Sequence, residues 1–411
     1  MRELKIAVVG GGAAGMLASI VAARNGAEVL VLEQLPRVGK KLLATGNGRC
    51  NLTNINMNIR SFHGSNVNFA ISALKKFDQR SAMDFFEDLG IHCVVEGEGK
   101  VFPASGQASS VLDVLRFEME RLGVKEICDA RVESVSYGKK GFKINVKDRD
   151  SMWVDKVILT TGGKANPSLG ANGSGYELAK AFGHKIIEPF PSLVKLKLDA
   201  PFLKSLSGAK IDGEAAIEVD GKVLRKESGE ILFTDYGLSG PPVMQLSRIA
   251  GEHLRMGKRV NIALDLFPDM SFEELEDLLE RRTYLREDKP FDFSFVGLIN
   301  KRFINVLLKE AGISDLHMPC RYVTEDDMKA IANKMKRWVM SVSGTQSWSE
   351  AQVTAGGVDV SHINPETMES KIAPGLYFAG EIIDIDGDCG GFNLQWAWSS
   401  GYIAGLSASS K

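Results

Sequence analysis

Three glycines near the start of the chain, Gly10, Gly12 and Gly15 in VVGGGAAG, stand at G-x-G-x-x-G spacing between an apolar run, LKIAVV, and a stretch of helical composition, AAGMLASIVAARNG. In that setting Gly10 permits a tight turn, Gly12 lets the backbone approach a pyrophosphate, and Gly15 allows close packing of helix on strand. Ala13 and Ala14 lie in the same turn, where the free N–H groups and positive dipole end of a helix hold phosphate. A second apolar run, EVLVLE, ends at Glu33, followed by Gln34, and Glu33 is placed to accept hydrogen bonds from an adenosine ribose. The bland alternative is a glycine turn with an incidental surface Glu. Strand, helix, strand and acid in sequence argue for a bound dinucleotide.

Two further stretches bear on which dinucleotide it is. RVGKKLLATGNGRCNLTN, residues 37–54, is rich in Gly, Lys, Arg and Asn. Lys40, Lys41 and Arg49 offer charge to an anionic cofactor and Asn51 offers amide contacts, although a solvated basic loop has the same composition. The second stretch is FAGEIIDIDGDCGGFNLQWAWSSG, residues 378–401. A helix starting near Gly391 turns the amides of Phe392, Asn393 and Leu394 toward whatever lies beyond DIDGDC, and such a helix end stabilises the negative charge of a reduced flavin. Gly380 ends a buried strand pattern, and Glu381 and Asp386 are candidates for ribityl hydroxyls. One FAD is long enough to touch both ends of the chain. DIDGD fails as a calcium loop, because its glycine comes too early and the twelfth position from Asp384 is Gln395 where a bidentate Glu is needed. No metal is expected. A plain turn with solvated carboxylates stays open.

The elements that must position these residues follow from hydrophobic patterning. Residues 4–33 read as a βαβ unit, the start of a parallel sheet. Residues 67–122 read as helical, 129–148 as a β-meander, and KVILTTGG and GLYFAGE as buried strands ending in glycine. From residue 194 the texture changes to alternating runs with D-G turns, which suits an antiparallel sheet with one solvated face. The expected fold class is α/β: a Rossmann-like FAD-binding domain, parallel sheet plus β-meander, in residues 1–193 and 348–411, interrupted by an inserted substrate-side domain at 194–347, β-rich over 194–270 and helical over 271–340.

The chain has 411 residues, 44% hydrophobic and 25% charged, with a formal net charge of -2, so the global basic footprint of a nucleic-acid binder is absent. No apolar run reaches the length of a membrane span and no signal-peptide pattern opens the chain, which reads as soluble and cytoplasmic. Five scattered cysteines form no C-x-x-C pair and point to neither a disulfide framework nor a zinc site. The six histidines, His63, His92, His184, His253, His317 and His362, make no recognisable catalytic arrangement.

Assembled in order, VVGGGAAG, GKKLLATGNGRCNLTN, LTTGGKANPSLGANGSGYELA, ILFTDYGLSGP, AQVTAGGV, TMESK and GLYFAGEIIDIDGDCGGFNLQWAWSSGYIAG resemble, over essentially the whole chain, the BaiN-like family of FAD-dependent oxidoreductases, which includes aminoacetone oxidase. The resemblance implies that Thr161, Gly162 and Gly163 contact FAD, that Val132 packs by the adenine, and that Arg49, Cys50 and Asn51 lie near the flavin. GANGSGY also looks like the flavin-side turn of fumarate-reductase-type flavoproteins. Where relatives read F-T-H, this chain has Phe233, Thr234 and Asp235, so a histidine base does not carry over.

The leading expectation is hydride exchange between flavin N5 and a small organic substrate bound between the inserted and FAD domains, with NAD(P)H as a transient co-substrate. An amine oxidase using oxygen is the alternative within the class. Asp235 and Cys50 are the candidate catalytic residues, Cys50 through a thiol-disulfide reductase reading that would need distant Cys389 as partner. From another class, a tRNA-modifying flavoprotein or a non-catalytic FAD-binding module would use GKKLLATGNGR and KMKRW as basic surface.

Overall fold

The computed structural model describes residues 4–410. The chain divides into two compact units, one made of the chain up to Pro191 together with the chain from Ala351 onward, the other of Ser192–Glu350.

In the first unit, β1 (Lys5–Val9) and β2 (Glu28–Leu32) are buried on both faces after their first residue, as parallel strands covered on each side must be. They belong to a five-stranded parallel sheet in the order Leu376–Phe378, Lys156–Leu159, β1, β2, Lys125–Ile127. A strand from near the end of the chain thus completes a sheet begun at its start. The meander is three antiparallel strands, Val132–Gly138, Gly141–Val146 and Met152–Val154. Residues 67–122 are not helical throughout. Between the helices Gln79–Asp88 and Ala108–Arg121 a hairpin of Cys93–Glu96 and Lys100–Pro103 forms, turning at Glu98 and Gly99, both at positive φ. Its strands are four residues each and the first is mostly exposed, too short and too wet to show an alternating pattern.

Helix α1 (Ala13–Arg24) and the last helix, Phe392–Ser409, are apolar on all sides and lie against each other through small residues. A Cβ on Gly401 would stand 2.6 Å from the Ala14 carbonyl oxygen, and one on Gly405 would stand 2.5 Å from that of Ala18. Equal steps along both helices mean that they run parallel.

The second unit is a closed six-stranded antiparallel barrel in the order Leu196–Asp199, Gly237–Ser239, Lys222–Phe233, Lys210–Val219, Val260–Asp265, Trp338–Thr345. This is the antiparallel sheet with one solvated face that the alternation predicts, closed on itself. Closure comes from Trp338–Thr345, which pairs with both Val260–Asp265 and Leu196–Asp199 and begins inside the stretch read as helical. Phe233, Phe303 and Trp338 fill its core, and the helices Phe272–Tyr284 and Glu325–Lys336 start at capping boxes, Ser271 with Glu274 and Thr324 with Asp327.

Candidate functional site

The first glycine turn is built by contact. Gly10 has φ 104°, and a Cβ there would lie 2.6 Å from the Thr160 carbonyl oxygen, while one on Gly15 would lie 2.0 Å from that of Gly10. A Cβ on Gly12 would meet nothing within 4 Å. Gly10 and Gly15 therefore serve packing, and Gly12 leaves an open face where α1 begins, with Ala13 half-buried and Ala14 buried behind it. The Thr160 hydroxyl donates to the Gly10 carbonyl oxygen, 2.7 Å, tying the turn to the strand Lys156–Leu159.

Glu33 is buried directly after β2. Its Oε2 accepts from the Gly11 N–H (2.8 Å) and its Oε1 from the Leu35 N–H (2.9 Å). Burial raises its carboxyl above the usual range, and these backbone N–H groups pull the other way. Each oxygen keeps lone pairs for a ligand. Gln34 is committed locally: its amide nitrogen donates to the Gly170 carbonyl and its oxygen accepts from Asn172. Val132 is buried where the meander opens. Thr161 and Gly162, at φ 71°, follow the strand Lys156–Leu159, and Gly163 lies against Thr354, whose hydroxyl accepts from the Lys164 and Ala165 N–H groups. Thr354 escaped sequence reasoning because its partners are almost two hundred residues away.

The second glycine turn precedes the last helix. Gly391 is its N-cap at φ 102°, and a Cβ there would lie 2.4 Å from the Thr53 carbonyl oxygen and 3.0 Å from Asn51 Oδ1. Asn51 thus stands at the helix N-terminus. Phe392 packs edge-on against Phe62, and Leu394 is half-buried. Asn393 holds the turn, accepting from the Gly387 N–H (2.8 Å) and donating to the Gly387 carbonyl (2.7 Å). Gly380, at φ 78°, donates to the Ser400 hydroxyl and accepts from Trp396 Nε1. Asp386 is buried on a two-residue strand paired with Phe62–His63. Beside it His63 Nε2 meets Asp388 at 2.7 Å, and Asp384 accepts from the Ser65 N–H at 2.9 Å. No spacing in the sequence points to these contacts, which join residues more than three hundred positions apart.

The basic loop is paired within the protein. Lys41 Nζ binds Glu381 Oε2 at 2.7 Å, and Glu381 Oε1 accepts from the Thr354 N–H at 2.7 Å. Arg49 pairs both terminal nitrogens with Glu96 and lies over the Phe102 ring, 4.1 Å from its centre. Lys40 donates to the Ser168 carbonyl at the surface. Cys50 is fully buried at φ 62°, and burial pushes its thiol up to about 12, so it supplies no thiolate near neutral pH. Asp235 is exposed in the turn between Lys222–Phe233 and Gly237–Ser239, in the barrel unit.

Parallel packing sets the two helix N-termini in order. With Ala14 opposite Gly401, the last helix starts about eight residues ahead of the level where α1 starts, roughly 12 Å along the common direction at 1.5 Å per residue. Two positive helix ends spaced that way suit one elongated ligand with two electron-rich regions. Around them three buried polar atoms have no hydrogen-bond partner among the described residues: Asn51 Oδ1, Thr161 Oγ1 and the Tyr176 hydroxyl. Buried polar groups are normally paired, so all three call for a ligand. Open space at Gly12, a carboxylate at Glu33 and these unpaired atoms together fit a flavin dinucleotide.

Residues 4–407 match the family described as HI0933-like protein Rossmann domain. The chain is 38% identical over 410 residues to the 3-dehydro-bile acid delta(4,6)-reductase of Clostridium scindens, covering 99% of each chain. It is 31% identical over 405 residues to the ribosomal RNA dihydrouridine synthase of Escherichia coli, covering 98% of this chain and 97% of the relative. Among solved structures it resembles the 3-ketosteroid-delta4-(5alpha)-dehydrogenase of Rhodococcus jostii RHA1, with a TM-score of 0.50 at 15% identity over 100% of this chain and 98% of the other, a likeness of fold. Among the described residues no helix is long and apolar enough to cross a membrane.

Proposed function

The chain belongs to the HI0933-like Rossmann family, and from that premise we propose that it is an FAD-dependent oxidoreductase that saturates a carbon–carbon double bond in a small organic substrate. The observation that carries the cofactor reading is the pair of parallel helix N-termini, about 12 Å apart along their axis, with the unpaired Asn51 amide oxygen beside the second. The relatives support the reaction class. A delta(4,6)-reductase and a dihydrouridine synthase both carry names that describe adding two hydrogens across a ring double bond.

FAD, when bound, supplies a hydride at N5, and NAD(P)H is the proposed source of that hydride. The chain's own residues orient and neutralise. The Gly10–Gly15 turn and the first amides of α1 hold the pyrophosphate, and Glu33 accepts from the adenosine ribose. At the second turn the free amides of Phe392, Asn393 and Leu394 stabilise negative charge on the pyrimidine edge of the ring, and Asn51 contributes an acceptor there. Lys41 and Glu381 act as a fixed ion pair near this turn, and Asn393 and Gly380 hold its shape. Saturation of the double bond would take that hydride on one carbon and a proton from solvent water on the other.

An anaerobic titration of the yellow protein with NADPH and then NADH tests the reading through loss of the visible flavin band. Bleaching followed by reoxidation with a ring enone is the expected result. Reoxidation only by ribosomal RNA moves the substrate to nucleic acid, as the name of the Escherichia coli relative suggests. No bleaching by either nucleotide supports an oxidase of small amines instead. A colourless protein that shows no flavin band after refolding with FAD overturns the proposal.

A further inference from the structure

We propose that Tyr176 is a further FAD-binding residue, its hydroxyl donating a hydrogen bond to the cofactor. The inference rests on the FAD reading above and concerns the last residue of GANGSGY, a side chain that the resemblance assigns no role. Tyr176 lies in the helix Ser174–Lys180 and is 5% exposed. Its hydroxyl is fully buried and has no partner among the described residues. A buried hydroxyl left unpaired costs on the order of 1–3 kcal/mol, so the position calls for an acceptor that the protein does not provide.

The surroundings say where that acceptor lies. A Cβ on neighbouring Gly175 would meet Thr161 Oγ1 at 1.9 Å and Ile382 Cδ1 at 3.0 Å. Thr161, whose own hydroxyl is unpaired, touches the first glycine turn, since a Cβ on Gly10 would lie 2.9 Å from its Cα. Ile382 follows Glu381 in the short 3-10 turn that precedes the second glycine turn. The helix turn that carries Tyr176 is therefore at the junction of the segments from both turns, and the phenol itself lies close enough to Glu381 and Asp384 to feel their charge. Glu381, the carboxylate nearby, takes Lys41 and the Thr354 N–H, and the phenol makes no hydrogen bond to it. Burial, reinforced by the negative charges of Glu381 and Asp384, keeps the phenol protonated, so at neutral pH the group acts as a donor. FAD offers acceptors in its ring, ribityl and phosphate groups.

Tyr176→Phe removes the hydroxyl and keeps the ring, so packing is preserved. With wild type and variant purified as holoproteins, equilibrium dialysis reads the FAD dissociation constant and thermal unfolding of the dialysed proteins reads stability. The expected result is a Kd raised about tenfold by loss of one buried hydrogen bond, with the FAD-free midpoint unchanged or raised. A Kd within about twofold of wild type overturns the assignment while leaving the function reading intact. So does an FAD-free midpoint lowered in the variant, because that makes the hydroxyl a structural group. A wild type that holds no FAD overturns both.

Discussion

At the first glycine turn, Gly15 is required by Gly10 and Gly10 by Thr160 and Thr161 at the end of the neighbouring strand, while Glu33, close by in sequence, accepts from Gly11. At the second, Gly391 is required by Thr53 and Asn51, more than three hundred residues earlier, and the loop ahead of it is held by His63, Ser65 and Asn393. One turn is a local motif; the other is assembled from both ends of the chain. Both present a helix N-terminus, so the same electrostatic device is reached by a short-range and by a long-range route. The first turn leans on one distant strand end, Thr160 and Thr161, whereas the second depends on several segments that hold it.

The seam between the helices is where this contrast breaks most easily. Gly401→Val forces a side chain against the Ala14 carbonyl and is expected to cost about 3 kcal/mol, lowering the thermal midpoint by roughly 5–10 °C; an unchanged midpoint means that the helices do not pack this way. Acid is expected to act through His184, which packs edge-on against Phe378 in the strand leading to the second turn. Burial, helped by His362 and opposed by Asp359, lowers its imidazole to about 4. The unfolded chain takes up that proton near its ordinary value of 6.5, so stability falls as pH drops from about 6.5 to about 4, by up to about 3 kcal/mol. Urea midpoints across that range should decline, and His184→Asn should flatten the decline.

Smaller effects separate the turns themselves. Glu33→Ala removes the carboxylate that caps Gly11 and Leu35 and is expected to weaken FAD retention roughly 10- to 100-fold on dialysis; unchanged retention confines Glu33 to shaping the turn. Asn51→Ala is expected to raise the FAD Kd only about fivefold and to leave the FAD-free melting midpoint unmoved, because its amide oxygen has no partner among the described residues. A large drop in that midpoint would make Asn51 a structural cap of the last helix.

The same contrast explains what could be read in advance. β1, α1, β2 and Glu33 form one contiguous pattern, and the parallel sheet followed from their burial. The charges of Lys41 and Arg49 looked available to an anion, yet Glu381 and Glu96 neutralise them from 340 and 47 residues away, which composition does not reveal. Asn393 has the residue type of a cofactor contact and spends both amide ends on Gly387. Barrel closure depends on Trp338–Thr345, set apart from the other strands by three helices. Thr161 and Tyr176 stand inside motifs quoted from the sequence, but that their buried hydroxyls meet no partner among the described residues is visible only in the folded chain.

The parallel seam between α1 and Phe392–Ser409 also orders events in time. Synthesis reaches the first glycine turn long before the second, so the helix end at Gly391 takes its place beside α1 only after every strand between them is made. Until then α1 lacks its cover. A nascent chain stalled before residue 392 therefore leaves the apolar flank of α1 for chaperones to shield.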